Sequence, residues 1–253
     1  MDQQPASISG RARIRLPIIT PWPATAAMHA PAPSPLRILH IDSNARPGVS
    51  GRDRHGSHSR RLGERLVRRW SSARPQDEII YRDVGLAPPS HVDAEWIAAA
   101  FSAPGRRSDE QRALMAADLV VIGAPMYNFG MPAPLKAWLD NIVRAGVTFG
   151  FDRARAGEPY WPMLPPGKRL VILGARGDYG YDPGGRQADV NFVEASLKAP
   201  LAYIGLRDTD SVAVEFDEFA DERLARSIAA AAERSVDALV DRLVADLDER
   251  LPV

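Results

Sequence analysis

The chain contains no cysteine. Disulfides, thiolate nucleophiles and cysteine metal sites are therefore excluded. It carries no excess of charge either, since 32 Lys and Arg stand against 32 Asp and Glu. That balance removes any global attraction to nucleic acid or to an anionic membrane surface, so neither is expected as a partner. No apolar run approaches the roughly 18 residues of a membrane-spanning helix. The five histidines are scattered, without His-Glu-x-x-His. His55 and His58 lie three apart beside Asp53 but lack a third ligand cluster, so no metal is expected. Neither Gly-x4-Gly-Lys-Ser/Thr nor Gly-x-Gly-x-x-Gly occurs, which excludes the two best-known glycine-rich nucleotide loops.

What remains is ordinary soluble globular composition, 45% hydrophobic and 25% charged in 253 residues, enough for one sizeable core. Residues 1–35 differ from the rest. Arg11, Arg13 and Arg15 precede an apolar patch, as in a secretion signal, but Pro17, Pro21 and Pro23 break that patch. A disordered Pro/Ala-rich tail and a cytoplasmic protein are expected. Met28, just before the first strand, is an alternative start position.

From Leu36 to the C-terminus, apolar strands alternate with longer helical stretches. Strands are expected at 36–42, 77–84, 118–124, 169–175 and 210–216. Helices are expected at 57–70, 92–117 with an interruption near Pro104-Gly105, 134–145, 187–204 and 220–251. The third strand, DLVVIGA, is nearly continuous apolar sequence, as suits burial on both faces. Such alternation implies right-handed parallel βαβ units. The fold expected is α/β, a flavodoxin-like doubly wound five-stranded parallel sheet with helices on both faces. Ligands bind such sheets beyond the carboxyl ends of the strands, where strand order reverses. Three loops then matter: those after strands one, three and four.

The first loop places Ser43 at the strand end and Ser57, His58 and Ser59 at the following helix start. There, exposed amides and the helix dipole favour an anion, while Ser57 would in any case serve as a helix cap. Arg52, Arg54 and Arg60 would raise the local potential. The second loop holds Met126, Tyr127, Asn128 and Phe129, three of them large, in a turn that ordinarily takes small polar residues. Tyr127 and Phe129 offer a platform to a flat aromatic ligand, and Asn128 offers polar contacts. The third loop, Ala175-Arg176-Gly177-Asp178 and onward, lets backbone approach a ligand closely. A phosphate seat, an aromatic platform and a glycine-bearing wall together describe a site for a phosphorylated flat ring, with FMN the natural candidate.

The stretch from Pro125 to Phe149 strongly resembles a characteristic segment of FMN-dependent NADH-azoreductases, also called FMN-dependent NADH:quinone oxidoreductases. Pro125 to Phe129, Leu135-Lys136 and Arg144 to Phe149 carry the likeness, with Val147 at a variable place. LHIDSN and SHSRRL add the family's first strand and Ser-x-Ser turn. The resemblance implies a homodimer with one FMN per subunit. It also implies FMN contacts at Ser43, Ser57, His58, Ser59, Met126, Tyr127, Asn128, Phe129, Ala175, Arg176, Gly177 and Asp178. Phe149 would line the acceptor pocket. Hydride would pass from NADH through FMN to a quinone or azo acceptor in a ping-pong cycle, with no side chain acting as catalyst; nearby arginines leave NADPH open as donor. Two departures stand out. The segment between Ser43 and Ser57 is longer than usual, and Ala175-Arg176-Gly177-Asp178 replaces the common Ser-Arg-Gly-Gly. A non-enzymatic flavodoxin-type electron carrier is the alternative, although such carriers are usually acidic and shorter. A response-regulator module would need a phosphoacceptor aspartate where strand three ends Gly123-Ala124-Pro125.

Overall fold

The structure is a computed structural model that describes residues 35–102 and 107–250. The expected tail therefore lies outside the described residues, save for Pro35, as does the Pro104-Gly105 interruption. Strands β1 (Arg37–Asp42), β2 (Glu78–Asp83), β3 (Leu119–Pro125), β6 (Arg169–Ala175) and β7 (Asp208–Val214) form one parallel sheet in the order β2-β1-β3-β6-β7. Every residue of β3 and β6 is buried, as the apolar run of the third strand anticipates. The strand-order reversal falls between β1 and β3.

The period-two alternation of strand side chains divides the core between the two faces. Leu39, Ile41, Val120, Ile122, Leu170 and Ile172 belong to one core. It is closed by α3 (Asp109–Ala116), α4 (Ala133–Ile142) and α5 (Phe192–Ile204). Ile38, Leu119, Val121, Val171 and Leu173 belong to the other. That core is closed by α1 (His58–Ala73) and by the C-terminal helices α6 (Glu222–Ala229) and α7 (Asp237–Arg250). Helix α1 presents Leu62, Leu66 and Trp70 at four-residue spacing, all fully buried. Helix α4 begins with Pro132 and Pro134, where a missing amide costs little.

Two expectations change. The C-terminal helix is not regular, because a seven-residue π-helical stretch, Ala230–Val236, joins α6 to α7. The fifth strand of the main sheet ends at Val214 rather than 216. Its partner β6 ends opposite it at Ala175, so Glu215 and Phe216 have no strand to pair with and enter a loop. The segment before β6 also holds a small antiparallel pair, β4 (Phe149–Phe151) and β5 (Tyr160–Pro162), in which Trp161 lies directly over Gly150. Helix α2 (Ala94–Ser102) and a three-residue 3₁₀ helix, Ala188–Val190, complete the described elements.

Candidate functional site

The platform after β3 is a tight turn under strain. The amide and carbonyl of Tyr127 exchange hydrogen bonds with those of Gly130, at 2.9 and 3.1 Å. The two central residues, Asn128 and Phe129, have φ of 49° and 68°. Two consecutive positive-φ positions ordinarily call for Asn-Gly or Gly-Gly. Asn tolerates this region, but a bulky Phe pays roughly 1–2 kcal/mol for it. Surrounding bonds hold the strain in place. Met126 donates its amide to the Ala175 carbonyl (2.9 Å), and Phe192 donates to the Phe129 carbonyl (3.1 Å). The Tyr127 hydroxyl donates to Asn44 Oδ1 (3.0 Å) and accepts from the Ala45 amide (3.2 Å). Tyr127 thus ties the platform to the loop after β1, and Phe129 stands 46% exposed.

At the start of α1, Ser57 caps the helix by accepting from the Arg60 amide at 3.2 Å. Its hydroxyl lies 3.0 Å from that of Ser59, and both serines are fully buried. The Ser57 carbonyl accepts from the Arg61 amide. Of the four amides a helix start leaves open, those of His58 and Ser59 then meet no acceptor among the described residues. Ser43 bonds the Gly123 carbonyl through both its amide and its hydroxyl (3.2 and 2.6 Å). The His58 ring is held at both nitrogens, Nδ1 2.8 Å from Ser50 Oγ and Nε2 3.1 Å from Asp217 Oδ1. The long 44–56 segment folds back here, pairing Val49 with Ser57. Arg60 does not face outward as a field source: it is 4% exposed and bound to Asp42 and Asp83. Arg52 is exposed and pairs with Asp53 and Glu64.

A cavity of about 260 Å³ brings together Met126, Asn128, Phe129, Gly177, Asp178 and Glu218, with Tyr181 and Gln187. The serine cluster lies outside its lining. Ala175 meets the platform through its carbonyl, which accepts the Met126 amide. Arg176 is turned inward, 3% exposed, with its guanidinium on Asp182, Glu194 and Glu215. Its amide and carbonyl are bonded to Val214 and Asp217. Phe149 stands apart from this lining, within an aromatic group with Tyr160 and Tyr203 at 6.2 and 5.0 Å.

Residues 37–239 match the model of the flavodoxin-like fold family. An FMN-dependent NADH:quinone oxidoreductase 2 of Colwellia psychrerythraea is 36% identical over 220 residues, covering 83% of this chain and 100% of that protein. An FMN-dependent NADH:quinone oxidoreductase of Opitutus terrae is 42% identical over 200 residues, covering 75% and 92%. The chain belongs to the FMN-dependent NADH:quinone oxidoreductase family. In fold it is similar to an FMN-dependent NADH-azoreductase of Bacillus anthracis solved in complex with FMN, with a TM-score of 0.65 and 20% identity over 83% of this chain and 99% of that one.

Within this oxidoreductase the unusual Asp178 does not project freely. Arg186 and Gln187 both bond its Oδ2, and Arg186 in turn lies 4.2 Å over the Tyr179 ring. The Arg186 hydrogen bond comes first in holding this carboxyl below the usual carboxylate range. Sequence reasoning missed the loop after β7. Asp217 reaches His58, Glu218 lines the cavity, and both donate amides to the Arg176–Gly177 carbonyls. The strand-end rule applies to β7 as much as to its neighbours. Among the described residues no group of acidic and histidine side chains could hold a metal, and no helix is long and apolar enough to cross a membrane.

Proposed function

We propose that this protein is an FMN-dependent NADH:quinone oxidoreductase that also reduces azo compounds, with NADPH as a second donor. The observation that carries this reading is 36–42% identity, over three quarters of the chain or more, to curated relatives named for that activity. They are named as oxidoreductases and not as electron carriers, which disfavours the non-enzymatic alternative.

The residues fit the cofactor at both ends. The amides of His58 and Ser59, without an acceptor among the described residues, suit a phosphate monoester at a helix start. The cavity under Asn128 and Phe129 suits a flat ring, with Gly177 allowing close backbone approach. Met126, Tyr127, Asn128, Phe129, Gly177 and Asp178 would hold the ring end, and Ser43, Ser57, His58 and Ser59 the phosphate end. Ala175 and Arg176 would shape that wall from behind. Bound FMN supplies the redox chemistry, two-electron hydride uptake from the nicotinamide and delivery to the acceptor. The chain's part is orientation: the Phe129 and Met126 side chains keep the ring region apolar, and no acid or base is required of any side chain.

A homodimer in the cytoplasm completes the reading. Phe151, Tyr160 and Tyr203 are 44%, 49% and 39% exposed beside Phe149. This exposed aromatic patch supports pairing of two copies through α4 and the segment that ends at Phe149, bringing Phe149 to the acceptor pocket. Purification, flavin identification and a matrix of NADH and NADPH against menadione, benzoquinone and an azo dye form the test. Protein that stays colourless in excess FMN overturns the proposal. So does flavin-loaded protein that never oxidises NADH with any acceptor, which would restore the carrier alternative.

A further inference from the structure

The pairing of His58 with Asp217 joins segments that the strand-end loops alone would not connect. Asp217 follows β7, and its Oδ1 lies 3.1 Å from His58 Nε2. Its Oδ2 lies 3.6 Å from Arg46 in the loop after β1. From the opposite side, Ser50 of the long 44–56 segment holds Nδ1 at 2.8 Å. Ser50 is itself buried, at 8% exposure, and its amide donates to the Ser57 carbonyl. In the resulting Ser–His–Asp string the Ser50 hydroxyl is buried against His58 and does not read as a nucleophile with its base. Its geometry is that of a clamp. His58 is the first residue of α1, so a ring fixed at both nitrogens also fixes the first helical turn. That turn carries the two amides that meet no acceptor among the described residues.

We infer that Asp217, with Ser50, is a positioning residue that sets the amides of His58 and Ser59 for the cofactor's phosphate, making the loop after β7 a fourth wall of the site. The inference rests on the FMN reading above. Two effects of Asp217 oppose one another. Its carboxylate repels a phosphate dianion, while its grip on His58 orders the amides that bind it. Charge-assisted hydrogen bonds at a buried anion seat exceed the screened repulsion of a partly exposed carboxylate that His58 and Arg46 already face. The grip therefore wins, and removing Asp217 weakens phosphate binding despite removing a negative charge.

The test is the dissociation constant of FMN and of riboflavin for the full-length apoprotein, followed by quenching of flavin fluorescence. Asp217→Ala is expected to weaken FMN about tenfold, equivalent to about 1.4 kcal/mol, and to leave riboflavin within about twofold. Asp217→Asn keeps an acceptor for Nε2 without the charge and is expected to restore FMN binding to wild type or better. Ser50→Ala, acting on the other ring nitrogen, is expected to repeat the selective loss. Equal weakening of both flavins in Asp217→Ala would mean general loosening and overturns the inference. So does tighter FMN binding in that variant, which would mean that the carboxylate acts through its field alone. A wild-type protein that binds FMN no better than riboflavin brings down the phosphate seat itself, a distinguishable failure.

Discussion

Arg60 forks onto Asp83, with Nη1 2.6 Å from one carboxylate oxygen and Nη2 3.0 Å from the other. The same guanidinium donates to the carbonyls of Arg46 and Asn44 at 2.8 Å each, and to Asp42 at 3.3 Å. One buried cation thus fastens β1, β2, α1 and the loop that carries Ser43. Removing one partner of such a network leaves carboxylates and carbonyls without compensation, which costs more than the network contributes over an apolar alternative. Arg60→Met is expected to destabilise the fold by about 3–4 kcal/mol in urea unfolding. A loss under about 1 kcal/mol, the usual worth of a surface pair, would show that the fork is incidental.

The strain in the platform gives a prediction of opposite signs. Phe129→Gly relieves a positive φ that costs a bulky residue roughly 1–2 kcal/mol, and it removes a side chain that is already 46% exposed. Greater backbone entropy in the unfolded chain returns part of that gain. Net stabilisation of about 0.5–1 kcal/mol is expected, together with weaker FMN binding. A variant both less stable and unchanged in flavin affinity would remove the platform's assigned role.

Acid should weaken this protein through identifiable carboxyls. Burial alone would raise Asp83, but the hydrogen bond from Arg60 and the amide of Leu86 outweigh it, and the carboxyl sits below its ordinary range. Asp217 is lowered chiefly by its hydrogen bond with His58. Asp237 is lowered chiefly by Arg65, which it meets at 2.7 Å. A carboxyl depressed in the folded state contributes stability above its unfolded value, near 3.9, and loses it as pH falls through the lower folded value. Thermal stability is accordingly expected to carry the full contribution of these groups, without pH dependence from them, near neutrality and to drop below about pH 4. Asp83→Asn should flatten part of that acid limb. An identical limb in wild type and variant would remove Asp83 from the account.

The sheet was legible because burial on both faces writes a continuous apolar run, as in β3, and because helical periodicity is plain in Leu62, Leu66 and Trp70. The β4–β5 pair was not, since three-residue strands are too short to show a period. The π-helical stretch at Ala230–Val236 has no compositional mark either. At the site, Met126 to Phe129 announced themselves by being too large for a turn. Asp217 did not, because a lone acidic residue in a loop looks like any solvated charge until the fold brings His58 to it. Arg60 misled for the complementary reason: a basic residue beside a phosphate turn reads as an anion ligand, and only the chain's return through β2 supplies the Asp83 that claims it.

Packing of α1 on β1 leads to a last prediction, at Gly63. A methyl group there would sit 2.5 Å from His40 Nε2 and 2.9 Å from Cε1. His40 is 5% exposed and packs 5.3 Å from the Tyr81 ring, which limits its retreat on that side. Alanine is the better helix former by about 1 kcal/mol. Overpacking a closed interior costs about 1–3 kcal/mol, and an approach this short belongs at the upper end. The packing term therefore prevails, and Gly63→Ala is expected to destabilise by about 1–2 kcal/mol net. Because α1 would also be pushed from the sheet, His58 and Ser59 should shift with it, and FMN should weaken more than riboflavin. A Gly63→Ala protein as stable as wild type would mean that His40 can swing aside, and that α1 is held less closely to β1 than these distances require.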